Sequence, residues 1–257
     1  DIIDELINSG ADVDSRGGGG GLSALMRSSD VDSASVLRLL AYGANVNAKA
    51  NNTTNALGVA VVHDLDTTCT QLLAAGADVN APCPFGGAAP LHIGLRLADD
   101  RCIACIPLLL AAGADIHARD ESGRLTIWNQ AQPLRRSIQC LLVAAGATDS
   151  PVSFEEEELS AARAEIAAAK NKIEAARRQL KVERHALVVM YALPMCIGLQ
   201  SLELPAFVTL AVLDELLPGR LSDVVSMHFK WDVITAVKHF HDRRTDTKSV
   251  KPSIVEQ

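Results

Sequence analysis

Apolar positions in the first 150 residues recur in short bursts, not long blocks. Val36, Leu37, Leu39 and Leu40 form one burst and Ile106, Leu108, Leu109 and Leu110 another, at the spacing that places them on one helix face. Four such bursts run into a glycine followed by a small residue. The phrase Gly-Ala-Asp-Val-Asn or a variant starts at Gly10, Gly43, Gly76, Gly113 and Gly146, with offsets of 33, 33, 37 and 33 residues. A period of this length marks stacked helical units. Glycine just past a helix supplies the left-handed conformation that ends it. The alanines beside these glycines, Ala41, Ala74, Ala75, Ala111, Ala112, Ala144 and Ala145, allow neighbouring units to approach closely. A shorter helix is predicted upstream of each burst, opening at Ser23-Ala24-Leu25-Met26, Asn55-Ala56-Leu57-Gly58, Ala89-Pro90-Leu91-His92 and Leu125-Thr126-Ile127-Trp128. Residues 1–9 carry Ile2, Ile3, Leu6 and Ile7 at helical spacing with no helix before them, so the opening unit reads as incomplete.

Ser153 and Glu156 have capping-box spacing and predict the start of a long helix. Leu159, Ile166, Ile173, Leu180 and Leu187 then recur every seventh residue, with Ala162, Ala169 and Ala176 between them, as in a coiled-coil seam. Two readings of this seam are open: a homodimer through 159–187, or a helix folded back to cap the apolar face of the last unit. Alanine at alternate positions makes a narrow dimer interface, which tilts the balance toward the cap. From Leu204 an apolar helix lies between Pro205 and Pro218; a second carries Val224, Val225, Met227 and Phe229 to Trp231, and a third Val233, Ile234, Val237 and Phe240. The expected organisation is all-α: repeats over 1–150, a long helix over 151–190, a helical module over 191–245 and a disordered polar tail over 246–257.

The four short-helix openings resemble the Thr-Pro-Leu-His start of ankyrin repeats, which Pro90-Leu91-His92 keeps most fully, and the glycine phrases resemble the close of those repeats. The resemblance implies an ankyrin-repeat solenoid, two antiparallel helices and a protruding turn per repeat, acting as a non-catalytic scaffold for a protein partner. The partner surface would comprise the concave first-helix side and the turn tips at 17–22, 50–54, 85–88 and 121–124. Its candidate residues are Phe85, Glu121, Arg124 and Trp128, the last standing where the family has histidine; His92 is expected to be structural. The five glycines at 17–21 read as a disordered loop. The four extra residues between Gly76 and Gly113 read as a surface insertion around 98–101 or in the preceding turn.

The carboxyl-terminal module resembles an F-box through Leu204-Pro205, Val212-Leu213, Leu217-Pro218 and Lys230-Trp231; Phe207 and Gly219-Arg220 depart from the family pattern. That resemblance implies docking on the adaptor subunit of a cullin ubiquitin ligase through Leu204, Pro205, Val208, Leu213, Pro218 and Trp231. Repeats followed by such a module are similar to the arrangement of poxvirus host-range proteins, with the repeats presenting a substrate. The alternative is a structural or self-associating ankyrin protein without a ubiquitin link.

Composition narrows the chemistry. Hydrophobic residues make up 48% of the chain and aromatics 4%, which fits helices packed through small side chains. A net charge of -7 offers no general attraction to nucleic acid. The most apolar stretch, 186–199, contains Pro194 and is too short to span a bilayer. Six scattered cysteines (Cys69, Cys83, Cys102, Cys105, Cys140, Cys196) fit a reducing compartment, hence a cytoplasmic or nuclear location. Cys102 and Cys105 have the spacing of a metal or redox pair, but no second Cys or His pair completes a site. His239 and His241 beside Arg243 and Arg244 read as a solvated helix end. No phosphate loop, nucleophile elbow or carboxylate pair is present, so neither enzyme activity nor a cofactor is expected.

Overall fold

The glycine of every repeated phrase ends a helix. Gly10, Gly43, Gly76, Gly113 and Gly146 all have φ between 85° and 106°, a region that disfavours any residue with a Cβ. Two backbone bonds close each end: the Gly43 N–H donates to the Leu40 carbonyl and the Ala44 N–H to that of Leu39, and the same pair recurs at all five phrases. This Schellman arrangement satisfies carbonyls that the helix itself leaves open.

The computed structural model describes residues 2–30, 32–51, 54–83, 89–97, 104–117, 136–147 and 152–187. The described residues are mainly helical. They contain α1 (Ile2–Asn8), a two-stranded turn of β1 (Arg16–Gly17) and β2 (Leu22–Ser23), then α2 (Ala24–Ser28), α3 (Ser33–Ala41), α4 (Ala56–Val62), α5 (Asp66–Ala74), α6 (Pro90–Leu97), α7 (Cys105–Ala111), α8 (Arg136–Ala144) and α9 (Glu156–Leu187). Local chemistry explains the starts. The Ser23 hydroxyl accepts from the Met26 N–H, the Asn55 side chain from the Gly58 N–H, and the Asp32 carboxylate from the Ala34 and Ser35 N–H groups. Pro90 opens α6, where its missing N–H costs nothing.

The helices pair as hairpins, α2 with α3, α4 with α5 and α6 with α7. The first helices α2, α4 and α6 contact one another in that order, and so do α1, α3, α5, α7 and α8. The shared core holds Val36, Leu40, Leu57, Val61, Leu72, Leu91, Ile93, Ile106, Leu109, Ile138 and Leu142. A Cβ on Gly94 would lie 3.6 Å from Val61 and 3.7 Å from Ile106, so α6 sits close against its neighbours.

A polar ladder joins the units along one edge. Asp14 accepts from the Asn45 N–H at 2.7 Å, Asn47 from the Asp78 N–H at 2.8 Å, and Asn80 from the Asp115 N–H at 2.8 Å. The side chains of Asp12, Asn45, Asp78 and Asp115 each accept from the N–H two residues on. The fifth residue of one phrase therefore holds the third residue of the next. The longer step from Gly76 to Gly113 leaves this register intact; residues 98–101, where the insertion is expected, lie outside the described residues.

The long helix departs from the expected start. Its start is capped by Glu155, not Ser153: the Leu159 N–H donates to the Glu155 carbonyl, and the Glu158 carboxylate accepts from the Glu155 N–H at 3.1 Å, the return half of a capping box. On the seam, Ala162, Ala169, Ile173 and Leu180 are buried within the chain. The helix reaches the last unit and earlier ones. Glu158 pairs with Arg136 of α8 at 2.8 Å and Lys172 with Asp66 of α5 at 3.9 Å, while Glu183 pairs with Arg38 of α3 at 3.4 Å. Arg177 donates to the Ala74 carbonyl of α5 and Arg184 to the Leu40 carbonyl of α3. α9 thus runs along the second helices from α8 back to α3. Seven residues of helix rise about 10 Å, the same as the roughly 8–10 Å between packed helix axes. A heptad repeat therefore matches the step of the stack, and two arginines one heptad apart reach the negative carboxyl ends of successive second helices.

Candidate functional site

The face opposite α9 carries the first helices and the turns before them. The first turn is ordered, contrary to the disordered loop expected for 17–21. β1 and β2 pair antiparallel with Arg16 opposite Ser23 and Gly17 opposite Leu22, and Gly18 and Gly21 take φ of 73° and 64°. Asn51, in the next turn, supplies the order: its backbone N–H donates to the Gly20 carbonyl at 3.1 Å and its side-chain amide to the Gly19 carbonyl at 3.2 Å. Arg27 donates to the Gly17 carbonyl at 3.3 Å. A Cβ on Gly21 would stand 2.6 Å from the Asn51 Oδ1, so this contact requires glycine. Adjacent turns are consequently joined to each other.

The second turn is closed by the Ala50 N–H donating to the Thr54 carbonyl at 2.8 Å. Below it, Gly58 occupies the helix position where the opening motif has histidine, and a Cβ there would lie 2.8 Å from the Cys83 Sγ. Burial pushes the Cys83 thiol up to about 11, with the Asn55 hydrogen bond acting in the opposite sense; this thiol stays protonated near neutral pH. His92 is buried in the first turn of α6, a packing position. Arg16 and Lys49 of the first two turns and Arg27 of α2 are exposed, three cations on a chain that is acidic overall.

Phe85, Glu121, Arg124 and Trp128 lie outside the described residues, as do Leu204, Pro205, Val208, Leu213, Pro218 and Trp231, the expected tail and Cys102. Of the groups that do line this edge, sequence reasoning missed Asn51, Arg27 and the ladder of Asp14, Asn47 and Asn80. The legible signal for the ladder was Asp or Asn at the fifth place of three successive phrases.

Among the described residues no three His, Cys, Asp or Glu side chains are placed to share a metal ion. An open cavity at the amino ends of α3 and α5, lined by Asp32, Ser33, Leu65, Asp66, Thr67 and Thr68, holds about 200 Å³, below the roughly 300–1,000 Å³ of small-molecule sites. Among the described residues no helix is long and apolar enough to cross a membrane. No protein-family model matches the chain, and no curated protein matches it.

Proposed function

We propose that the chain is an ankyrin-repeat scaffold that binds a protein partner along its turn tips and concave first-helix side, while α9 braces the opposite side. The observation that carries this reading is the recurrence of one helix-ending geometry at five phrases, with side-chain bonds linking consecutive phrases in register. Stacked units of this kind meet only their neighbours, and their outer edge is left for recognition. The cationic turn residues Arg16 and Lys49, with Arg27 of α2 beside the first turn, favour a partner surface bearing carboxylates. The same reading assigns Phe85, Glu121, Arg124 and Trp128 to the edge. It assigns the F-box-like module, through Leu204, Pro205, Val208, Leu213, Pro218 and Trp231, to the adaptor subunit of a cullin ubiquitin ligase, which makes the protein a substrate adaptor. The burial of the α9 seam weighs against the self-associating alternative.

Affinity capture with the full chain, followed by mass spectrometry, tests both halves. The reading expects a cullin adaptor subunit in the capture, lost with Trp231→Ala, and a second protein retained by that variant but lost with the charge reversal Arg16→Glu/Lys49→Glu. Capture by the intact chain without any cullin adaptor would remove the ubiquitin assignment. Undiminished recovery of every partner by the charge-reversed chain would remove the turn-tip assignment.

A further inference from the structure

Cys69 of α5 and Cys105 of α7 bring their sulfur atoms to 3.0 Å of each other. Both residues are fully buried and both are free thiols. They sit in second helices of adjacent hairpins, which contact directly. A further bond fixes the same place: the Cys105 N–H at the start of α7 donates to the Asp64 Oδ1 at 3.1 Å, and Asp64 precedes α5 in a left-handed conformation, φ 51°. The helices are thus tied beside the thiols. A disulfide needs its sulfurs at about 2.05 Å, an approach of roughly 1 Å from the separation seen here. The Cys69 contact and burial together push the Cys105 thiol up, so Cys105 rests as a thiol.

We propose that Cys69 and Cys105 form a modification site, a dithiol that glutathione disulfide converts into an internal disulfide locking the second hairpin to the third. One thiol, deprotonated, attacks a glutathione disulfide sulfur; a mixed disulfide forms and one glutathione thiolate leaves. The second thiol attacks the protein sulfur of that mixed disulfide, releasing the second glutathione. The two cysteines lose two electrons and two protons, and glutathione disulfide gains them as two glutathione thiols. Because both sulfurs are enclosed, the first attack needs the α5–α7 contact to open, so the exchange is slow in the native protein and fast during folding. The cross-link closes a loop containing α6 and fixes the step between two units. The cysteine pair that sequence spacing singled out, Cys102 with Cys105, is a different one.

The test refolds the full chain in a glutathione redox buffer, then alkylates and digests it without reductant. The expected product is a peptide joining Cys69 to Cys105, formed equally in Cys102→Ser, together with a melting temperature raised by roughly 10 °C that returns to the starting value on adding dithiothreitol. Recovery of both cysteines alkylated from the oxidised, refolded protein, or of Cys105 joined to Cys102, would overturn the site. A cross-link that left the melting temperature unchanged would overturn the locking. The peptide map of the unsubstituted chain decides even if Cys102→Ser fails to fold.

Discussion

Asp4 is the residue on which three helices converge. Its carboxylate accepts from Arg38 at 2.6 and 2.8 Å and from the Tyr42 hydroxyl at 2.7 Å, and the same guanidinium reaches Glu183 of α9. The Arg38 hydrogen bonds hold the Asp4 carboxyl below its usual range, with burial opposing and Tyr42 assisting. A carboxyl with a lowered folded pKa contributes stability that is complete above its unfolded value, about 3.9, and fades as the pH falls through the folded value. Asp4→Asn should therefore lower stability near neutral pH by about 2 kcal/mol. Urea unfolding from pH 7 downward should show variant and parent converging as Asp4 protonates; a constant gap across that range would refute the assignment. At Gly76, φ is 91° and a Cβ would meet nothing within 4 Å, so Gly76→Ala should cost about 1–2 kcal/mol through backbone conformation alone, read by equilibrium unfolding. These glycines were legible in the sequence because the helix-ending geometry needs only glycine and the next N–H. The ladder was harder to see, since the residues joined by Asn47 and Asn80 are 31 and 35 positions away and exposed amides look merely solvated.

At the scale of elements, α9 shows where pattern reading reaches its limit. The heptad was plain, yet the same seven-residue period serves a coiled coil and a helix crossing a stack whose step is roughly 10 Å. Nothing in residues 159–187 alone separates the two, because what distinguishes them is the partner surface, contributed by α3, α5 and α8. Ile173 is buried on the seam, so Ile173→Ala should cost about 2–4 kcal/mol and hasten proteolysis within α9. Resistance to protease equal to that of the parent would contradict the packing. Sedimentation equilibrium of the unaltered chain at high concentration should give the mass of one chain, and a two-chain mass abolished by Ile173→Asp would restore the dimer reading. In the ladder, Asn80→Ala removes the acceptor for the Asp115 N–H and should cost about 1 kcal/mol, with hydrogen exchange rising first at Asp115.

For the whole molecule, hairpin stacking is legible in the glycine period, since units too small to bury an apolar face alone must share it. The brace did not follow, because it joins residues more than a hundred positions apart, as in the 103-residue separation of Arg177 and Ala74. The candidate edge was legible in outline from the turn positions. Its ordering was not, because Asn51 holds a glycine run 32 residues upstream. The central claim, that α9 lies along the second helices of its own chain, is most directly tested by zero-length carbodiimide coupling. Lys172 and Asp66 stand 3.9 Å apart with both side chains accessible to reagent. The account predicts a peptide joining Lys172 to Asp66 within one chain. Coupling found only between isotopically distinguished copies, or Lys172 joined to no residue of a second helix, would contradict it.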